Sequence, residues 1–117
     1  MKLNTTGTCW VNDNGVYFSY AQPLTASYKG KCIFDEGFYS MTTRKHQSII
    51  RNYIPRNYVS ILYGDLKYGV ESALAKEIES IDYEIETRLD KRKTNKNLNE
   101  IEKLQAKREF ISNLLNE

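Results

Sequence analysis

The spacing of apolar residues changes character near residue 66. Before it, short runs of β-branched and aromatic residues alternate with turn formers. Residues 5–11 (TTGTCWV) and 16–20 (VYFSY) flank Asn12-Asp13-Asn14-Gly15 and predict two strands joined by a tight turn. A third strand is predicted over residues 31–34, after the turn signal Tyr28-Lys29-Gly30. Pro23 has no N–H to donate and is expected to end the second strand. Thr42 or Thr43 is expected to cap a short helix through residues 44–52, stopped by Pro55. Residues 58–63 read as a further strand. These pieces predict an antiparallel sheet of about four strands with one short helix.

From Leu66 the period becomes helical. Apolar side chains fall at 66, 70, 74, 78, 81 and 85, with Leu89 behind them. Thr94-Asn95-Lys96-Asn97 interrupts the pattern, and Asn97 or Asn99 is expected to open a second helix carrying Leu98, Ile101, Leu104, Ile111 and Leu115. So short a break predicts an antiparallel pair. The fold class is therefore α+β, a single domain over 1–117, with a β-rich part (1–65) and a C-terminal two-helix hairpin (66–117).

Arginines break both helical seams. The series 101, 104, 108, 111, 115 has Arg108 at its centre, and the series 74, 78, 81, 85, 88, 92 ends in Arg88 and Arg92. A guanidinium in an apolar seam costs several kcal/mol unless it is paired or reaches solvent or an anion. Folding about residues 95–96 sets Arg108 opposite Asp82 and Tyr83, and Arg88 opposite Lys103. Two readings follow. Arg108 pairs with Asp82 or lays its stem along the seam, or Arg108 and Tyr83 line a pocket that holds a phosphate and stacks a base.

Composition sharpens the division. Of 14 aromatic residues, 12 lie at or before Tyr68, leaving Tyr83 and Phe110. Residues 1–65 carry seven Lys/Arg and four Asp/Glu, whereas residues 66–117 carry ten and eleven. Between Gly37 and Gly64 no acidic residue occurs, and that window holds Arg44, Lys45, Arg51, Arg56 and the single histidine, His46. Tyr39, Tyr53 and Tyr58 are interleaved there. Thr42 and Thr43 at a helix start add hydroxyls and free amides, so the stretch suits phosphate-plus-base recognition. It equally suits a solvated helix face with tyrosines packed beneath. His46 alone points to a surface or hydrogen-bonded residue.

Several classes are disfavoured. No run of about 18 apolar residues exists to span a membrane, and the start lacks a signal-peptide pattern. Cys9 and Cys32 show no metal-ligand spacing and read as reduced thiols. Phosphate-loop, zinc-protease and nucleophile-elbow motifs are missing, so neither catalysis nor a cofactor or metal is expected. A net charge of +2 is small for a nucleic-acid-binding domain.

Two stretches carry a resemblance. Residues 16–25 (VYFSYAQPLT) and 37–48 (GFYSMTTRKHQS) resemble a group of small bacteriophage proteins sharing a "YFSY-x-x-P" strand and an "S-x-T-T-x-K-H-Q" turn into a helix. A β-rich half followed by two long helices is also similar to the anti-Thoeris sponge proteins of phages. That resemblance implies a non-enzymatic anti-immune protein of the host cytoplasm, which sequesters cyclic nucleotide signals such as cyclic ADP-ribose isomers, with cyclic oligonucleotides a further class. It also implies dimers or higher homo-oligomers with pockets between subunits. Candidate ligand contacts are Thr43, Arg44, Lys45, His46, Arg56, Arg88 and Arg108, with Tyr83, Trp10 and Phe110 competing as the stacking aromatic. The alternatives are a protein-directed inhibitor of a host defence nuclease, such as an anti-CRISPR, and a small nucleic-acid-binding protein using residues 44–58.

Overall fold

A computed structural model describes residues 1–91 and 93–117. Arg92, expected in the first helical seam, lies outside the described residues. The chain is α+β, as the pattern predicts, but its strands divide into two small sheets. The first comprises β1 (Cys9–Val11), β2 (Tyr17–Ser19) and β3 (Gln22–Pro23), all antiparallel. The second comprises β4 (Thr25–Tyr28), β5 (Lys31–Asp35) and β6 (Val59–Ile61). There β4 and β5 run antiparallel, while β5 and β6 are parallel. The parallel pair requires a crossover, and α1 (Met41–Ile50) supplies it.

Local chemistry explains most boundaries. Tyr28 faces Lys31 across a two-residue turn whose Lys29 and Gly30 both have positive φ, 49° and 78°. That geometry matches the right-handed twist of a hairpin. Between β1 and β2 the Asn12 carboxamide accepts from the amides of Asn14 and Val16, at 3.0 and 2.9 Å. Pro23 does not end β2. The strand turns earlier, at Tyr20 (φ 55°), and Pro23 sits in β3 opposite Phe18. The cap of α1 is Ser40 rather than a threonine, its hydroxyl accepting from the Thr43 amide at 3.1 Å.

The helical hairpin consists of α2 (Val70–Leu89) and α3 (Asn95–Asn116), preceded by a 3-10 turn at Leu66–Tyr68. Asn95 and Lys96 belong to α3, because Thr94 caps it by accepting from the Asn97 amide. The hairpin and the second sheet enclose one core of Ile33, Ile61, Leu74, Ile81 and Ile111. Cys9, Leu24, Phe34, Ile50 and Ile54 form another. Neighbouring residues of β5 point to opposite faces, so Ile33 and Phe34, both fully buried, anchor the two cores back to back. Glu77 is also fully buried on α2. Its Oε1 accepts from the Leu62 and Tyr63 amides at 2.8 Å each, and its Oε2 pairs with Lys107 of α3 at 3.2 Å.

Candidate functional site

The two motif-bearing stretches meet. Ser40 donates to Thr43 Oγ1 at 3.2 Å, Thr43 Oγ1 lies 3.1 Å from Ser19 Oγ, and Ser19 Oγ lies 2.6 Å from His46 Nδ1. His46 Nε2 continues the chain to Thr8 Oγ1 at 3.3 Å. Helical periodicity puts Thr43, His46 and Gln47 on the inner face of α1, and all three are buried. Burial holds the His46 imidazole below its ordinary value of 6.5, which favours the neutral ring. Ser19 and His46 therefore join β2 to α1 through a satisfied polar network. His46 is an internal hydrogen-bonded residue, one of the two roles its sequence context allowed.

A cleft of about 300 Å³ opens above this network, between the β2–β3 turn and the start of α1. Ser19 and Thr43 lie at its base, Tyr20 and Tyr39 beside it, and Gln22 and Lys67 complete the wall. Tyr20 is half-exposed, adopts a left-handed backbone, packs 5.6 Å from the His46 ring and is held by Trp10, whose Nε1 donates to its carbonyl at 2.7 Å. A non-glycine residue with positive φ is uncommon and carries strain. Tyr39 donates to Asp35, a fully buried carboxylate that also accepts from the Gly37 amide at 2.9 Å. Burial raises the Asp35 carboxyl above its ordinary 3.8, and burial with the Asp35 contact raises the Tyr39 phenol. Perturbed titratable groups beside a polar-floored cleft are the usual marks of a binding site. Two aromatic rings, hydroxyls, a carboxamide and one ammonium suit a small aromatic anion.

The predicted site residues separate into three places. Thr43 lines the cleft, with His46 and Trp10 behind it. Arg44 reaches back to the Glu36 carbonyl at 3.3 Å and covers Phe38, while Lys45 and Arg56 are exposed. Arg51 pairs with Glu36 at 2.6 Å, which interrupts the basic stretch. The third group lies on the hairpin. Arg108 pairs with Asp82 at 2.5 Å, the first of its two readings, and Arg88 bonds Glu84 and Asn97 rather than facing Lys103. Tyr83 is exposed on another side of α2 and Phe110 lines a shallow hollow with Tyr58 and Lys107. Tyr83 follows Asp82, the partner of Arg108, directly in α2, so its side chain diverges from that pair by about 100° and turns toward Tyr63 and Ser80.

Sequence reasoning missed Tyr20, Gln22 and Lys67, and it noted Tyr39 only as one of the tyrosines interleaved with the basic residues. Tyr20 and Tyr39 do stand inside the motif stretches, whereas only the folded chain brings Lys67 beside them. Among the described residues no cluster of His, Cys, Asp or Glu is placed to hold a metal, and no helix is long and apolar enough to cross a membrane. Comparison with protein-family models, known proteins and solved structures finds no match.

Proposed function

We propose that the protein is a non-catalytic binding protein that captures a cyclic nucleotide second messenger in the cleft beneath Tyr20 and Tyr39. The resemblance of residues 16–25 and 37–48 supports a phage setting, and the likeness of the β-rich half and helix pair to the anti-Thoeris sponges narrows the ligand to the cyclic ADP-ribose class. One observation carries the reading: both motif stretches converge on a single cleft that offers two aromatic faces and a lysine. In it, Tyr20 and Tyr39 contact the base, Lys67 attracts phosphate, and Gln22 and Thr43 supply hydrogen bonds. Ser19 and His46 serve as its scaffold. Both are buried, and His46 Nε2 meets Thr8 and Asn4 instead of a carboxylate that would stabilise an imidazolium.

Calorimetry with cyclic ADP-ribose, its glycocyclic isomers and cyclic dinucleotides tests the proposal. One ligand should bind once per chain with a Kd of about 1 μM or tighter, and be recovered intact after denaturation. Absence of heat with every ligand, or recovery of an altered nucleotide, overturns it.

A second reading, a protein-directed inhibitor, is favoured by the start of α1. Phe38 and Met41 are 65% and 66% exposed there, beside Arg44 and Lys45. An apolar patch edged by cations suits an acidic protein surface. Direct binding of a purified host defence nuclease, lost in Phe38→Ala/Met41→Ala, would favour this reading.

A further inference from the structure

β6 is an outer strand of the second sheet, with β5 on one side and no strand on the other. The Ile61 carbonyl accepts from the Glu36 amide at 2.8 Å and so faces β5. Peptide groups of successive residues in a strand point to opposite edges, which turns the N–H and C=O of Ser60 outward. Neither group meets a hydrogen-bond partner among the described residues. The next outward amide, that of Leu62, is already taken by Glu77. Beside this edge lies a hollow of about 310 Å³, walled by Asn57, Tyr58, Val59 and Ser60 and by Lys107 and Phe110 of α3. Ser60 is partly exposed and Phe110 is 47% exposed.

We propose that this edge takes an extended segment of a partner protein as an added antiparallel strand. The unpaired backbone carries the argument, because an extended main chain offers an acceptor and a donor at the spacing that the two Ser60 groups need. The partner residue opposite Ser60 exchanges both hydrogen bonds with it. That residue's side chain shares the face of Ser60, and its two neighbours point to the opposite face. Val59 and Ile61 occupy that opposite face and pack into the hairpin core, so the two neighbours meet Lys107 and Phe110. Phe110 offers its ring to an apolar side chain. Lys107 offers an ammonium with three donors and one carboxylate partner, Glu77. Lys107 is the one charge among the described lining residues. The nearby carboxylates are engaged: Glu77 is fully buried against Lys107, Glu36 pairs with Arg51, and Glu100 with Lys103 one turn earlier on α3. Exposed Arg56 directly precedes Asn57. The partner segment therefore carries an acidic and an apolar residue two positions apart. The edge is separate from the nucleotide cleft, and neither proposal rests on the other.

Two blocked peptides, Thr-Val-Glu-Thr-Leu-Val-Thr and Thr-Val-Leu-Thr-Glu-Val-Thr, test it by titration into the isotope-labelled full chain. One of the two orders should bind with a Kd on the order of 100 μM. Binding should slow hydrogen exchange of the Ser60 amide by about tenfold or more. Methylating the central peptide nitrogen removes the donor to the Ser60 carbonyl, and replacing Glu by Lys opposes Lys107. Each change should weaken binding by about tenfold or more. Ser60→Pro deletes an N–H that the sheet itself does not use and should abolish binding, whereas Ser60→Ala keeps the N–H and should bind as wild type does. Circular dichroism verifies the fold of both variants, and the methylated peptide tests the same bond without altering the protein. Three outcomes overturn the proposal. They are no binding of either peptide at about 1 mM, binding that survives the methyl group or a folded Ser60→Pro, and a Ser60 amide already protected in the free chain by a second copy.

Discussion

Ser19 Oγ and His46 Nδ1 lie 2.6 Å apart in the interior of the protein, and this contact closes the first sheet onto α1. Ser19 belongs to β2 and His46 to the inner face of α1. Their meeting also places Tyr20, the next residue along, at the mouth of the cleft. Residues 19 and 43–46 thus act first as a structural joint, and the cleft is built on that joint.

Removing one side of the joint strands the other. Ser19→Ala leaves a buried ring nitrogen and the Thr43 hydroxyl without their shared partner. An unsatisfied buried polar group costs about 1–3 kcal/mol. A urea titration should show the midpoint falling accordingly, with the slope unchanged.

The His46 ring also sets a pH dependence. Its folded value lies below 6.5 because burial disfavours the imidazolium. The unfolded chain therefore binds more protons below pH 6.5, and stability falls as pH drops through that value. Urea midpoints between about pH 7.5 and 5.5 should decline in the wild type and flatten in His46→Gln. Asp35 has the opposite sign. Its folded value lies above 3.8, so its contribution is fully present below 3.8 and is lost as pH rises through the folded value. Asp35→Asn keeps an acceptor for the Gly37 amide and removes the buried charge. Its midpoint relative to wild type should therefore be higher at neutral pH than near pH 4.

Two carboxylates of α2 should behave differently when their contacts are cut. Glu77 is fully buried and holds two backbone amides together with Lys107, so Glu77→Ala strands three donors and should cost about 3–5 kcal/mol. Asp82 and Arg108 are each near half exposure, where solvent screens the pair. Arg108→Ala should lower the melting temperature far less than Glu77→Ala does. Thermal melts of the two variants, compared in the same buffer, check the ordering.

The contrast shows which parts of the fold local pattern can encode. Three-to-four spacing is local, so the hairpin and the Arg108–Asp82 register were readable from sequence. The start of α3 was misplaced because Asn95 and Asn97 are poor helix formers and no apolar residue precedes Leu98, whereas the Thr94 cap outweighs that local signal. Division into two sheets was hidden for another reason. It depends on β6 pairing in parallel with β5 across α1, a contact between distant segments that alternation within one strand does not specify. Nothing local distinguishes Glu77 from the other carboxylates of α2, and only the approach of residues 62–63 to α2 makes it an internal ligand for the backbone. The cleft was half readable. Its motif residues stood out, but Lys67 comes to it from the far side of the chain.

Tyr20 allows binding to be separated from folding. Its φ of 55° is strained for tyrosine and natural for glycine. Tyr20→Gly removes the ring from the cleft while relieving that strain, and it keeps the backbone carbonyl that accepts from Trp10. Relief of a left-handed residue returns about 1 kcal/mol, which offsets much of the lost packing against His46. The variant should melt within a few degrees of wild type. If Tyr20 stacks the base, affinity for the nucleotide identified by calorimetry should fall by about tenfold or more, since one stacking contact is worth about 1–3 kcal/mol. Unchanged affinity in a folded Tyr20→Gly protein would remove the cleft as the binding site.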